Sequence, residues 1–374
     1  MAAASAEPLP PLYCDWNATT PPYLEVVAAM AAAAATLWAN PSSVHAAGRT
    51  ARNEVERLRE LLASALHVDA RDLLLTSGGT EANNLALHDA AGLVTSRLEH
   101  PSVTRVAEAL AARGRPVRWL PVPTTGRLDP DALAELAAGL PPASWVSIQL
   151  ANHETGVLQD VAGFAERAHH LGLRLHVDAV QAFGKVPIGA LGAADRLTVT
   201  AHKLRGPKGI GALAWRANHG PRPLLVGGSQ ERGLRPGTVD AVAAVGFRAA
   251  LELAAQNRSL WTSTAEVRDE LERSLREVAV VNGAGERLPH VSNLSFEGVQ
   301  GDELVAALDL VGIQVSSGSA CSAGSSEPSA VVTAMLGRQR ALGAVRFSLG
   351  PDVTSAQVSR IKHEVFRTLG RTRT

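Results

Sequence analysis

The segments HVDAVQ, residues 176–181, and AHKLRGPKG, residues 201–209, decide the fold of this chain. Each follows a short apolar run that predicts a buried strand, at Leu173–Val177 and at Leu197–Thr200. Five similar runs alternate with helical patterns in the first two-thirds of the chain: Leu73–Thr76, Leu93–Ser96, Val117–Pro121, Trp145–Leu150 and Ile210–Trp215. This alternation predicts an α/β fold with a mainly parallel seven-stranded sheet and helices on both faces.

An acid and a lysine stand at the carboxyl ends of two of these strands, where ligands of such sheets bind. Asp178 ends the first strand, and Lys203 follows the second. A pyridoxal 5'-phosphate (PLP) site needs this pair, because the lysine forms a Schiff base and the carboxylate keeps the pyridine nitrogen protonated. The chain has only four lysines, which argues against generic surface charge. Taken alone, the pairing leaves PLP binding and an unrelated role equally open.

Composition excludes several classes of protein. The formal net charge of zero gives no electrostatic reason to bind nucleic acid or an anionic membrane. The longest apolar run, Val26–Leu37, is too short to cross a bilayer and predicts a packed helix. Residues 1–11 lack the pattern of a signal peptide. The two cysteines, Cys14 and Cys321, are far apart in sequence, which predicts free thiols in a reducing, cytoplasmic compartment.

A chain of 374 residues is long for one core, so we expect two domains. The large domain is predicted over 12–255. A long helical pattern over 239–278 leads away from it into a small α+β domain over 256–374, which residues 1–11 are expected to join. The elements predicted there are strands Val291–Phe296, Ile313–Ser316 and Val345–Leu349 and helices Asp302–Leu310 and Ser355–Leu369.

Three turns after predicted strands carry polar groups suited to a cofactor. Ser77–Asn83 has glycines that admit an anion and a helix N-terminus that offers N–H groups, or it is an ordinary turn with Thr80 as the helix N-cap. His100 suits stacking on a flat ring and proton transfer, or it is a surface-loop histidine. The segment with His153 has polar groups that could reach a phenolic oxygen, or it is a plain turn.

Two residues of the C-terminal part suit chemistry on a thiol amino acid. Cys321 lies in the serine-rich segment 316–329, and a cysteine on a solvated loop is a candidate nucleophile or sulfur carrier. Cys14, in a strand-like segment, is predicted to be a core residue. Arg346 is a charge inside an apolar strand pattern, so it binds either a substrate carboxylate or an internal acid. Thr238, close to a helix start, suits capping or phosphate binding.

Together these segments resemble the NifS-like cysteine desulfurases, class V members of the fold-type I PLP enzymes. The resemblance runs from YCDWNATTP, residues 13–21, to RFSLG, residues 346–350, and includes NPSS, residues 40–43. The long serine-rich segment around Cys321 is similar to that of the first of the two desulfurase groups. The resemblance implies a homodimer that takes sulfur from L-cysteine, releases L-alanine and passes the sulfur to an acceptor protein. The acceptor stays open among iron–sulfur cluster assembly, a tRNA-thiolation or other nucleic-acid modification pathway, and cofactor biosynthesis.

The resemblance also implies a role for each matching residue. Lys203 would form the Schiff base and then move the Cα proton, Asp178 would pair with the pyridinium nitrogen, and His100 would stack on the ring. Gln181 would bind the phenolic oxygen. Gly79, Thr80, Thr200 and His202 would hold the phosphate, with Thr238 from the partner subunit. Arg346, helped by Asn40, would bind the substrate carboxylate. Cys321 as thiolate would take the sulfur as a persulfide, with His100 as the candidate proton acceptor.

One position departs from the family pattern. The family usually has two consecutive asparagines before the residue matching Glu154, and the second contacts the cofactor; here it is His153. Because an imidazole can still donate a hydrogen bond, we expect PLP binding to survive. The departure leaves open a related PLP lyase or aminotransferase that acts on selenocysteine or another amino acid. A non-catalytic scaffold is a third reading, but the joint presence of Lys203, Asp178, Cys321 and Arg346 argues against it.

Overall fold

The computed structural model describes residues 10–187, 189–216, 218–318 and 327–370, and Cys321 lies outside them. Within these ranges the strands are β1 Leu12–Tyr13, β2 Leu73–Thr76, β3 Leu93–Thr95, β4 Val117–Trp119, β5 Trp145–Gln149, β6 Arg174–Asp178, β7 Arg196–Thr200, β8 Gly211–Trp215, β9 Ala279–Val281, β10 Val291–Phe296, β11 Ile313–Gln314 and β12 Ala344–Ser348. The helices are α1 Leu24–Thr36, α2 Ala46–Leu66, α3 Gly79–Leu87, α4 Pro101–Ala112, α5 Leu133–Leu136, α6 Val161–His170, α7 Ala241–Gln256, α8 Arg258–Leu275, α9 Gly301–Asp309, α10 Ala330–Leu336, α11 Arg338–Leu342 and α12 Ser355–Thr368.

The predicted seven-stranded sheet is confirmed. Its order is β2-β8-β7-β6-β5-β3-β4, and every neighbouring pair is parallel except the two that involve β8. Strands β5, β7 and β8 are buried along their whole length, as strands covered by helices on both faces must be. The carboxyl ends of β5, β6 and β7 therefore open on one edge, which is where the polar turns of the sequence lie.

Helix α2 shows why the flanking helices form. Its buried residues Ala51, Val55, Leu58 and Leu62 recur every three or four positions, so one face packs into the main apolar core. The side chain of His45 caps its first turn by accepting a hydrogen bond from the Gly48 N–H over 3.2 Å.

A second apolar core lies among C-terminal elements β10, β12, α8 and α12. Cys14 belongs to this core and is fully buried, which confirms its predicted role as a core residue. Burial raises the pKa of the Cys14 thiol to about 12, so this cysteine is inert as a nucleophile. The predicted domain boundary between residues 255 and 256 stays a prediction.

Two local features differ from the prediction. The helical pattern over 239–278 is broken at Asn257, whose side chain donates to the Leu253 carbonyl over 2.9 Å and so ends α7 before α8 begins. The small antiparallel sheet is β12-β10-β9, and its edge strand β9 was not predicted. The predicted strand Ile313–Ser316 is confirmed as β11 over Ile313–Gln314, and it pairs with β1 through parallel contacts such as Leu12 with Ile313.

Helix α1 is packed on one face only. Val26 is buried against the main core, but Leu24 and the neighbouring Trp38 are 83% and 77% exposed. The predicted packed helix is therefore confirmed on one face, whereas its outer face is exposed. Within the described residues, no helix combines the length and apolar character needed to cross a bilayer.

Candidate active site

A pocket of about 210 Å³ lies at the carboxyl ends of β5, β6 and β7 and at the N-terminus of α3. This is the edge of the sheet where the predicted cofactor turns meet. The predicted residues that line it are Gly79, Thr80, His100, His153, Asp178, Gln181, Thr200, His202 and Lys203, and the others are Ala18, Asn83, Ser102, Gln149, Ala151 and Val180.

Lys203 ends a short 3₁₀ turn that directly follows β7. Its Nζ donates to the backbone carbonyl of Asn17 and, over 2.7 Å, to that of Ala18. Both carbonyl acceptors belong to the N-terminal segment. The sequence analysis did not predict a contact between this segment and Lys203. The amine is thus held at the pocket wall by main-chain oxygens.

Asp178, at the end of β6, is oriented by a network of neutral donors. Asn83 Nδ2 donates to Asp178 Oδ2 over 2.7 Å and to Ser102 Oγ over 2.8 Å. The Val180 backbone N–H donates to the other carboxyl oxygen over 2.9 Å. Asp178 is only 6% exposed, and it lines the pocket. Its carboxyl group is therefore fixed in place with an accessible edge toward the cavity.

Gln181 is held by a buried lysine that the sequence analysis did not assign. Lys185 Nζ donates to Gln181 Oε1 over 3.4 Å, and Gln181 Nε2 donates to the Asn17 carbonyl over 2.9 Å. Burial, together with the charges of Lys203 and Arg346, lowers the pKa of Lys185 well below its usual value. These two contacts orient the Gln181 amide with its oxygen toward Lys185. The amide nitrogen has a second proton, which it can donate into the pocket.

The opposite end of the pocket suits an anion. Gly78 has a φ of 149°, which favours glycine, and a Cβ on Gly79 would lie 2.9 Å from Val180 Cγ2. Helix α3 begins at Gly79, so the predicted alternative of Thr80 as N-cap was wrong; Gly78 occupies that position. The first N–H groups of a helix lack intrahelical partners and attract negative charge.

One threonine and one histidine side chain complete this end of the pocket. Thr200 Oγ1 donates to the Ile210 carbonyl over 3.0 Å, and His202 Nδ1 lies 3.2 Å from Thr19 Oγ1. Burial, with the charges of Lys203, Lys185 and Lys208, lowers the pKa of His202 to about 3. His202 is therefore a neutral ring at neutral pH.

His100 and His153 meet across the pocket, with ring centroids 5.4 Å apart and planes at 75°. His100 caps helix α4. Burial lowers the pKa of His100; the charge of Asp178 opposes this shift, and the charge of Lys203 adds to it. Burial also lowers the pKa of His153 well below its usual value, and the neighbouring His100 ring and the charges of Arg346 and Lys203 add to this effect. Both rings are therefore neutral at neutral pH.

Arg346 lies behind the pocket on β12 and is 2% exposed. Its Nη2 pairs with Asp15 Oδ1 at 2.5 Å, so the internal ion pair that the sequence left open is present. Its Nη1 donates to the His153 carbonyl over 3.0 Å, while its buried Nε has no hydrogen-bond partner among the residues that the structure describes. A role in binding a substrate carboxylate stays a prediction.

Two further predicted site residues, Asn40 and Thr238, are not brought to this pocket. Asn40 is exposed, and its Oδ1 accepts from the Ser42 N–H over 2.8 Å. Thr238 is exposed, in the segment before α7. Cys321 lies outside the described residues, so its predicted role is neither supported nor opposed by the geometry.

The sequence analysis missed Asn17, the hub of the site. Besides holding Lys203 and Gln181 through its carbonyl, it donates from Nδ2 to the His153 carbonyl over 3.0 Å and accepts from His290 Nε2 over 2.9 Å. Nothing local in the DWNATT segment shows these contacts, because the partners lie far away in sequence.

Asn83 and Ser102 could have been found from the sequence. Asn83 follows Thr80 by three positions on α3, which places both on one helix face. Ser102 stands two residues after His100, the spacing at which a serine or an N–H meets a capping side chain.

Known proteins share the sequence pattern and the fold of this chain. The family described as Aminotransferase class-V matches residues 12–361. The chain is similar to a cysteine desulfurase of Trichormus azollae, with 38% identity over 365 residues that cover 94% of this chain and 90% of the relative. Among solved structures it is similar to a NifS-like protein, with 30% identity, a TM-score of 0.88 and coverage of 97% and 100%. It is also similar to SspA in complex with cysteine, with 30% identity, a TM-score of 0.78 and coverage of 91% and 99%.

Proposed function

Because the chain belongs to the class V aminotransferase family, we propose that it is a PLP-dependent cysteine desulfurase. It removes sulfur from L-cysteine, releases L-alanine and transfers the sulfur to an acceptor. The observation that carries this proposal is the convergence of Lys203, Asp178 and His100 on one pocket with an anion-binding helix end. The chain covers nine-tenths of a relative that bears this activity in its name.

The residues present fit PLP. Lys203 would bind it covalently, Asp178 would face the ring nitrogen, and the start of α3 with Thr200 and His202 would hold the phosphate. When bound, PLP supplies an electron sink for charge that develops at the substrate Cα. The fit is supported by the oriented Asp178 carboxyl group, since its partners Asn83 and Val180 leave its outer edge to the pocket.

The chain's own residues divide the remaining work. With PLP bound, Lys203 would move the substrate Cα proton, and the main-chain oxygens of Asn17 and Ala18 hold its amine near the pocket. Arg346, helped by Asn40, binds the substrate carboxylate. Cys321 attacks the substrate sulfur as a thiolate and carries it as a persulfide to an acceptor protein. We propose that the transferred sulfur is used for iron–sulfur cluster assembly in the cytoplasm.

The site is proposed to form in a homodimer. The residues Leu24, Trp38, Val44 and Val226 are large and apolar, and they are 83%, 77%, 83% and 103% exposed. Exposed apolar groups of this size are typical of a surface that another chain covers. Asn40 and Thr238 lie in the same exposed segments, so pairing would bring them toward the partner's pocket. A fully active protein with the mass of a monomer in solution would contradict this proposal.

The function is tested by supplying L-cysteine and a reductant and measuring sulfide and alanine together. Equal amounts of both products, lost in Cys321→Ser, support a desulfurase that works through a persulfide. Alanine release that survives Cys321→Ser points instead to a direct lyase. A cofactor-loaded protein that leaves cysteine untouched moves the assignment to selenocysteine or another amino acid.

Cofactor attachment has a matched pair of variants. Lys203→Ala should abolish the visible absorbance of covalently bound PLP, because Lys203 is the lysine of the pocket. Lys208→Ala, at an exposed lysine five residues further on, should keep it. Equal spectra for the two variants would contradict the assignment of Lys203.

A further inference from the structure

The buried carboxyl group of Glu154 has no part in the steps proposed above. Glu154 directly follows His153 and is 2% exposed, but it is not among the residues that line the pocket. Its Oε2 accepts a hydrogen bond from Ser329 Oγ over 2.5 Å, across 175 residues of sequence. Burying a carboxyl group costs free energy unless the group is hydrogen-bonded, so the contact with Ser329 is strongly held.

Ser329 is fixed by both groups that its hydroxyl contacts. Its Oγ accepts from the Val332 N–H over 2.9 Å as the N-cap of α10, so the hydroxyl proton is left for Glu154. Ser329 is only 6% exposed, so water has little access to replace either bond. Glu154 therefore ties the start of α10 to the turn that follows β5.

The earlier part of the serine-rich segment packs against the same two side chains. Gly318 is buried, and a Cβ built on it would lie 3.6 Å from Ser329 Cβ and 3.9 Å from Glu154 Oε2. Residues 319–326, which include Cys321, therefore connect two points of the chain that lie side by side.

The first residue of the segment is attached to the wall of the pocket. The Ser316 backbone exchanges two hydrogen bonds with that of Arg346, over 2.6 and 3.2 Å, and Arg346 Nη1 donates to the His153 carbonyl. Both ends of the serine-rich segment are thus attached to residues beside the pocket. The main-chain pair at Ser316 survives any substitution that keeps the fold, whereas the attachment at Ser329 depends on the carboxyl group of Glu154.

We infer that Glu154 is a positioning residue that acts through Ser329 and holds the serine-rich segment beside the pocket for the attack of Cys321 on the substrate sulfur. In that attack an S–S bond forms and the substrate C–S bond breaks, its electron pair staying on the carbon that becomes the alanine methyl group. A nucleophile held close to its target reacts faster, because its freedom of movement is already restricted. The inference rests on the proposed function, which supplies the sulfur-transfer step.

This role separates two steps of one turnover. Proton movement at the substrate Cα depends on Lys203 and needs no residue of the serine-rich segment. Sulfur transfer depends on where that segment holds Cys321. Loss of the Glu154 contact should therefore slow sulfur transfer and leave proton movement unchanged, whereas a general loosening of the pocket would slow both steps.

The two steps are measured separately in the cofactor-loaded protein. Deuterium exchange at the Cα of L-alanine in heavy water reports the Lys203 step, because alanine has no sulfur. Transfer of radioactive sulfur from L-cysteine to the protein, in a single turnover without reductant, reports the Cys321 step. Glu154→Met removes the acceptor at similar volume. It should slow sulfur transfer by about 10- to 100-fold and leave the exchange rate within about twofold.

Three further single variants test the contact itself. Glu154→Gln keeps an acceptor oxygen without the charge and should retain both rates. Ser329→Ala should slow sulfur transfer as Glu154→Met does, and the double variant should be no slower than either, because the two residues form one contact. Ser317→Ala is the matched control: its Oγ also donates to a carboxylate, that of Asp302, but at an exposed position, so both rates should be unchanged.

A spin label on Cys321 gives a measurement that needs no activity. The other cysteine of the chain, Cys14, is fully buried, so the label attaches at Cys321. The electron paramagnetic resonance lines of the label should narrow in Glu154→Met and Ser329→Ala, because the segment loses one attachment. The lines should stay unchanged in Glu154→Gln.

Several results would overturn the inference: unchanged sulfur transfer or equal slowing of both steps in Glu154→Met, an equal loss of sulfur transfer in Glu154→Gln, or an unchanged spin-label spectrum in Glu154→Met. Ser329→Ala carries the same tests where Glu154→Met fails to fold. If the original protein transfers no sulfur from cysteine but the spectra change as expected, the proposed function alone fails.

Discussion

The buried ion pair between Arg59 and Glu231 should make Glu231→Gln strongly destabilising. Arg59 Nη2 and Nη1 contact the two carboxyl oxygens at 2.6 and 2.9 Å, and the side chains are 5% and 3% exposed. Glu231 Oε2 also accepts from the Leu75 N–H over 2.8 Å, so the pair joins α2 and β2 to the segment before Thr238.

The magnitude follows from what the substitution leaves behind. Glutamine has one acceptor oxygen and a pair of N–H donors, so it cannot serve both Arg59 nitrogens and Leu75. Glu56 stays 2.9 Å from Arg59 Nε but is 48% exposed, so the guanidinium loses its buried counter-charge, and breaking such a buried pair costs about 3–5 kcal/mol. Exposed pairs contribute only about 0–1 kcal/mol, and Arg71 with Asp69, at 79% and 64% exposure, is the matched case.

Urea unfolding of the cofactor-loaded protein measures both effects. Glu231→Gln should lower the free energy of unfolding by about 3–5 kcal/mol. Asp69→Asn should lower it by less than about 1 kcal/mol. The double variant Arg59→Met with Glu231→Leu should recover most of the loss, because it removes both buried charges. A loss of less than about 1 kcal/mol in Glu231→Gln would refute this reasoning.

Three further outcomes are expected. Burial, with the charge of Arg196, lowers the pKa of His176 to about 3. An unfolded histidine has a pKa of about 6.5, so the free energy of unfolding should fall by about 2 kcal/mol between pH 7 and pH 5. In pH-dependent unfolding, His176→Gln should lack this loss of stability. Gly211→Ala should weaken PLP binding measured by equilibrium dialysis, because its Cβ would lie 2.7 Å from Gly78 Cα; unchanged affinity would contradict this. Lys185→Met should keep stability within ~1 kcal/mol but shift the pH titration of the bound cofactor's absorbance, and an identical titration would show that Lys185 does not orient Gln181.

Local sequence was sufficient to predict the large sheet and most of the pocket. The strand bounds in the large sheet agree with prediction to within two residues, because buried parallel strands are short apolar runs that need no distant information to be seen. Asp178, Lys203 and His100 follow such strands directly. The topology of an α/β sheet then brings the strand ends to one edge, so the candidate pocket could be expected without coordinates.

Tertiary structure decided what each of these residues contacts. Asn17 reaches Lys203 and His290, and Arg346 pairs with Asp15, across separations of 186, 273 and 331 residues. No propensity or periodicity encodes such pairs, since they depend on how β1 and β12 pack beside the large sheet. The contacts of His100 Nδ1 with the Ser102 N–H and of His153 Nδ1 with Gln149 Oε1 likewise depend on the packing around the pocket. The sequence alone determined which chemistry-bearing groups gather at the sheet edge, whereas the packing around them determined which of them donate and which accept.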